Sequence, residues 1–148
     1  MKTVYRVLAY VIAALVAVQA AAIGYAVFAQ LHWIEGGGTL DEASFESAPG
    51  FGAYIFHALN GGTVLLTALA LLIVSFFAKI PHGVRWAVIV LVSTIVQIAL
   101  GTLSRLWSPI GAVHGAVALV LFGVAVMAAM RARKPAVVEE TAVPASVT

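Results

Sequence analysis

Residues 51–78 read FGAYIFHALNGGTVLLTALALLIVSFFA, an apolar run with no charged residue and a single histidine, His57. At about 1.5 Å of rise per residue, a helix of that length exceeds the roughly 30 Å hydrocarbon core of a bilayer. Three runs of similar character flank it: Val7 to Gln30 before it, Trp86 to Leu103 and Ile110 to Met130 after it. Of the 148 residues, 63% are hydrophobic and 9% charged, with mean hydropathy +1.08. A soluble domain carries about 25% charged residues. The expectation is therefore all-α: an integral membrane antiparallel four-helix bundle over residues 1–131, then a disordered cytoplasmic tail over 132–148.

The segments between the runs support four crossings. Residues 1–6 (MKTVYR) are a short basic head. Val27-Phe28-Ala29 before Gln30 loosely resembles a signal-peptidase site, but signal h-regions run only about 7–15 residues, so the first run reads as a span. Residues 31–50 hold Glu35, Asp41, Glu42 and Glu46 with no Lys or Arg, and have room for one short helical turn around Asp41 to Phe45. Lys79 to Arg85 is a tight basic turn in which Pro81 and Gly83 oppose helix continuation. Ser108-Pro109 fits an N-cap followed by proline at the first helical position.

Charge then sets the orientation. Lys2, Arg6, Lys79, Arg85, Arg131, Arg133 and Lys134 all fall on one side of a four-span arrangement, and only Arg105 on the other. Basic residues favour the cytoplasm, so the expectation is a multi-pass protein of the cell (inner) membrane with both termini cytoplasmic. Trp33, Trp86 and Trp107 fall at span ends, where interfacial indoles belong. The chain has no cysteine, which excludes disulfides, iron–sulfur clusters, thiolate-ligated haem and covalent c-type haem.

Polar residues inside spans are costly and mark functional positions. His57 lies seven residues after Gly50 and His114 five after Pro109, so both sit roughly 7–11 Å below the same face. In an up-down bundle the second and fourth spans are diagonal, which sets the two imidazoles across the bundle axis from one another. Two histidines so placed suit the axial positions of one b-type haem iron. Gly61, Gly111 and Gly115 lie on the histidine faces and leave space for a flat macrocycle. Gln97, at nearly the same depth, is a candidate donor to a ligand histidine or to a propionate. Arg105 at the rim is a candidate propionate partner. Each also has a plainer reading: interhelical hydrogen bonds for the histidines and Gln97, close packing for the glycines, and an interfacial snorkel for Arg105. His32 reads as an interface residue and His82 as part of the basic turn.

The stretch Val96-Gln97-Ile98-Ala99-Leu100-Gly101, followed by Val113-His114-Gly115 and preceded by Phe56-His57, resembles one four-helix half of the haem A synthase family. It is similar as well to small four-span bacterial membrane proteins with a His-x-x-x-Gly feature and a late histidine. The resemblance covers about residues 51–130 and implies a haem-holding bundle. That family carries a glutamate three residues before the first histidine and an arginine directly after it. Here these positions are Tyr54 and Ala58, and the family's loop cysteines are absent. The resemblance thus carries the architecture and not the synthase reaction.

The functional expectation is a small membrane cytochrome with one bis-histidine haem b, His57 and His114 ligating its iron, for electron transfer or for haem sensing or delivery. No catalytic acid, base or nucleophile stands out. Expected partners are membrane lipid, with quinone, a respiratory oxidoreductase subunit or a second copy of the chain as the route for electrons, and no nucleic acid. The alternative is a cofactor-free accessory or assembly subunit of a larger membrane complex.

Overall fold

The computed structural model describes residues 1–133, so the expected tail beyond them lies outside the described residues. Four helices follow in order: α1 (Lys2–Glu35), α2 (Phe51–Ala78), α3 (Gly83–Leu103) and α4 (Pro109–Arg131). Each is long and apolar enough to cross a membrane, and the described residues contain no strand. The neighbouring pairs are α1–α2, α2–α3, α3–α4 and α1–α4, which closes a ring and leaves α1/α3 and α2/α4 as diagonals. The bundle has a basic end, bearing Lys2, Arg6, Lys79, Arg85 and Arg131, and an acidic end, bearing Glu35, Asp41, Glu42 and Glu46.

Packing is concentrated towards the basic end. The hydrophobic core joins Tyr5, Ile12 and Val16 of α1 to Val64 and Leu71 of α2, Val90 of α3 and Leu121 of α4. Alanines fill its seams, with Ala9, Ala68, Ala87, Ala125, Ala128 and Ala129 wholly buried. Where lipid is as apolar as the core, helices associate through close backbone approach, which small side chains permit. The Tyr5 hydroxyl donates to the Gly83 carbonyl at 3.0 Å, tying α1 to the α2–α3 turn. In the acidic half the packing changes. No residue between Ile95 and Val120, on α3 and α4, is buried, and α1 and α2 bury Ala26, Gln30 and Asn60 there.

Two turn expectations are corrected. Gly83 does not break a helix; it is the first residue of α3 and is buried, with Ile80 Cβ 3.0 Å from where its own Cβ would stand. The left-handed residues of that turn are Lys79 (φ 50) and His82 (φ 57), which reverse the chain at a conformational cost of roughly 1–2 kcal/mol each. Ser108 does precede Pro109 at the start of α4, but its side chain makes no capping bond, because its backbone is already helical (φ −56, ψ −33).

The loop to α2 carries the expected short turn. Phe45 N–H donates to the Asp41 carbonyl, and the Asp41 carboxylate accepts from the Ser44 hydroxyl and backbone N–H, both at 2.8 Å. Phe45 then packs against Phe51 and Tyr54, with ring centroids 5.5 and 6.0 Å away, pinning the loop to the first turns of α2. Gly50 enters that helix at φ 86, and a Cβ on it would stand 2.8 Å from the Ala26 carbonyl oxygen. Only glycine meets both demands. Since α2 begins beside Ala26, the last nine residues of α1 run about 13 Å beyond it.

Candidate functional site

The contact between Gly50 and Ala26 also sets the antiparallel register of α1 against α2. Seven residues further along α2 stands His57, and seven residues back along α1 stands Gln19. The His57 Nδ1–H donates to the Gln19 backbone carbonyl at 3.3 Å. The second hairpin repeats the arrangement, with the His114 Nδ1–H of α4 donating to the Gln97 carbonyl of α3 at 3.0 Å. A carbonyl oxygen only accepts, so both imidazoles carry their proton on Nδ1 and leave Nε2 with its lone pair. One layer of the bundle thus draws one residue from each helix, histidines on one diagonal and glutamines on the other.

The imidazoles meet across the axis, with ring centroids 6.1 Å apart and ring planes at 63°. Both histidines are half-buried. The Gln97 side chain adds two contacts to His114: its Nε2 donates to the His114 carbonyl at 2.9 Å and lies 3.3 Å from the His114 Nε2. The layer is polar but incompletely paired. Gln19 Oε1, Gln97 Oε1, Asn60 Nδ2 and Gln30 Nε2 are buried with no hydrogen-bond partner, and all four belong to the acidic half. An orphaned polar atom costs about 1–3 kcal/mol, so four in one region is a concentrated penalty.

The structure brings His57, His114 and Gln97 together, as their spacing implied. The glycines sort differently. A Cβ on Gly101 of α3 would stand 3.0 Å from His114 Cε1, so Gly101 is the residue that admits that ring. Gly61 faces Gln19 Nε2 at 3.6 Å, Gly111 faces Ser104 Cβ at 3.8 Å, and Gly115 has open space within 4 Å. Arg105 is exposed in the α3–α4 turn. His32 is exposed in the last turn of α1, and His82 precedes α3 at the basic end with no side-chain capping bond.

Four residues of the region escaped sequence reasoning: Gln19, Asn60, and the pair Tyr54 and Gln30, whose hydroxyl and Oε1 are joined at 3.0 Å. Gln19 carried a usable signal, being a glutamine in the middle of the first run and level with His57 once a hairpin register is assumed. Asn60, three residues deeper in α2 than His57, carried the same kind of signal, whereas Gln30 gave none, because a polar residue at a span end is ordinary. Protein-family models, curated proteins and solved structures were compared with this chain, and none matches it.

Proposed function

We propose that this multi-pass membrane protein holds one b-type haem between His57 and His114 and serves electron transfer, haem sensing or haem delivery. The observation that carries the reading is the 6.1 Å between two imidazole centroids whose Nδ1–H groups both donate to backbone carbonyls. Two nitrogens each about 2 Å from a shared metal, with each ring centre roughly 1 Å behind its nitrogen, put the centroids about 6 Å apart. The 63° between the ring planes is compatible, since two imidazoles ligating one iron need not be coplanar. A carbonyl accepting from Nδ1 fixes the tautomer and raises the basicity of the ligating nitrogen. Among the described residues no group of three or more His, Asp or Glu converges. A bare ion would therefore lack ligands here, whereas a porphyrin brings its own equatorial donors.

When bound, the haem supplies one-electron chemistry at its iron. The chain's residues hold and orient. Gln19 and Gln97 aim the imidazoles through their carbonyls, and Gly101 admits the His114 ring. Gly115 keeps the α4 surface beside His114 low, while Gly61 and Gly111 admit the Gln19 side chain and Ser104 instead. The unpartnered Gln30 Nε2 beside Tyr54 is a donor for a propionate, with Arg105 at the rim as a second. Six of the seven described basic residues belong to the basic end, which supports placing that end and both termini in the cytoplasm of a cell (inner) membrane, with the haem near the outer face. A single haem at that depth exchanges electrons only with a partner, such as quinone, an oxidoreductase subunit or a second copy.

One observation favours the other reading, a cofactor-free accessory or assembly subunit. Gln97 engages both nitrogens of His114, which gives that ring a complete set of partners within the chain. Colour separates the two. The purified chain supplied with haem in detergent should show a low-spin Soret band at one haem per chain. A chain that stays colourless after reconstitution leaves the accessory reading standing and ends the haem reading.

A further inference from the structure

At the opposite end of the bundle from the histidines, a cleft of about 470 Å³ is lined by Lys2, Thr3 and Arg6 of α1 and by Ala132 and Arg133 just past α4. We infer that this cleft is a binding site for a phosphate group, held by Lys2, Arg6 and Arg133.

Lys2 and Arg6 are four apart and so share one face of α1. Arg133 faces them across the α1–α4 seam, and its Nη2 donates to the Tyr10 hydroxyl at 3.0 Å, one turn beyond Arg6 on the same face. That bond orients the guanidinium and leaves its other N–H groups for a ligand. The cleft also lies at the N-terminus of α1. The first bond there runs from Tyr5 N–H to the Met1 carbonyl, so the N–H groups of Lys2, Thr3 and Val4 have no acceptor within the helix. No side chain caps this end. Free N–H groups and the positive end of the helix dipole add to three cations, and the Thr3 hydroxyl adds a further donor. Ala132, almost wholly buried, closes the floor.

Orientation bias by itself does not account for this grouping. A charge that only biases topology needs to be near the membrane end, and Lys79, Arg85 and Arg131 do that without lining the cleft. Arg131 lies over the Trp86 ring, 5.3 Å from its centroid, and Lys79 and Arg85 are exposed elsewhere. Gathering three cations into one cleft costs repulsion that an anion offsets. The four described acidic residues, Glu35, Asp41, Glu42 and Glu46, all belong to the far end. Planar guanidinium groups match phosphate oxygens in pairs, which favours phosphate over a halide. The group can come from an anionic phospholipid headgroup at this membrane end or from a free phosphate.

The test uses the full chain in neutral detergent, titrated separately with short-chain phosphatidylglycerol, short-chain phosphatidylcholine and inorganic phosphate, and read by native mass spectrometry and thermal melting. Saturable stabilisation is expected from phosphatidylglycerol and not from phosphatidylcholine. Saturation by inorganic phosphate at comparable concentration assigns the same cleft to a free phosphate. Arg6→Gln and Arg133→Gln should each weaken binding about tenfold, the scale of one charge-assisted hydrogen bond, while R85Q, with the same net charge, should bind as the unaltered chain does. Helical content by circular dichroism checks that each variant is folded, and R133K, which keeps the charge but not the fork, should fall between. An R85Q loss equal to that of R6Q would reduce the effect to bulk charge and overturn the site, as would the absence of saturable binding of either ligand.

Discussion

Gln97 and a metal compete for one nitrogen. The Gln97 amide lies 3.3 Å from the His114 Nε2, while its backbone carbonyl independently holds Nδ1. Gln97→Ala removes the first contact and keeps the second. In the haem reading the variant should therefore retain a bis-histidine spectrum with equal or tighter haem retention during gel filtration. In the packing reading it loses two hydrogen bonds, each worth about 0.6 kcal/mol in a membrane interior, and melts earlier with no spectral consequence. Asp41 supplies a second residue-scale test. Donation from the Ser44 hydroxyl and then from its backbone N–H holds the Asp41 carboxyl below the ordinary carboxylate range. The turn is thus favoured in full above the ordinary aspartate value and loses that contribution as pH falls through the lowered one. The Ser44 amide resonance should titrate with an inflection below the usual aspartate range and lose it in Asp41→Asn. An inflection at the ordinary value would detach Asp41 from the turn. At this scale the sequence was legible where chemistry is rare in context. His57, His114 and Gln97 stand out against lipid-facing neighbours, whereas Gly101 among many small residues shows its purpose only once the His114 ring is in place.

Among the elements, the expected spans 7–30, 51–78, 86–103 and 110–130 differ from the helices mainly at α1. That helix starts five residues earlier and ends five later, at Lys2 and Glu35. The cause is physical: a helix does not stop where the hydrocarbon stops, and nothing in Leu31 to Glu35 breaks one until the glycines at 36–38. Polarity marked the membrane boundary and was read as the helix boundary. The Gly50 hinge was invisible for a related reason. Its need is the nearness of Ala26, a tertiary fact. Gly50→Val should strain a left-handed backbone and collide with α1 at once, which moves α2 off register and parts His57 from the Gln19 carbonyl. The expected outcome is a fall in melting temperature together with lost haem retention, whereas Gly52→Ala, with nothing within 4 Å of its Cβ position, should be tolerated. Equal behaviour of the two variants would contradict the register argument.

As a whole, the molecule divides its labour along its axis. The basic half is a dry alanine-and-leucine packing that holds four helices in a ring, and the acidic half bears the polar layer. Ring order and diagonal placement were legible from four apolar runs and the short second and third connections, because such connections permit few topologies. The uneven packing was not, since alanines that bury and alanines that face lipid look alike in a sequence. Which end faces the cytoplasm rests on charge. An alkaline phosphatase fused within residues 36–46 should be active outside the cell and one fused after Thr148 silent; the reverse would put the histidine layer at the inner face.

The central claim is that His57 and His114 jointly ligate one iron. Electron paramagnetic resonance of the ferric, haem-loaded protein tests it most directly, on the unaltered chain and on four single alanine variants. A low-spin signal is expected that His57→Ala and His114→Ala each abolish or convert to high spin, and that His32→Ala and His82→Ala leave intact. Retention of the low-spin signal in either of the first two would contradict it.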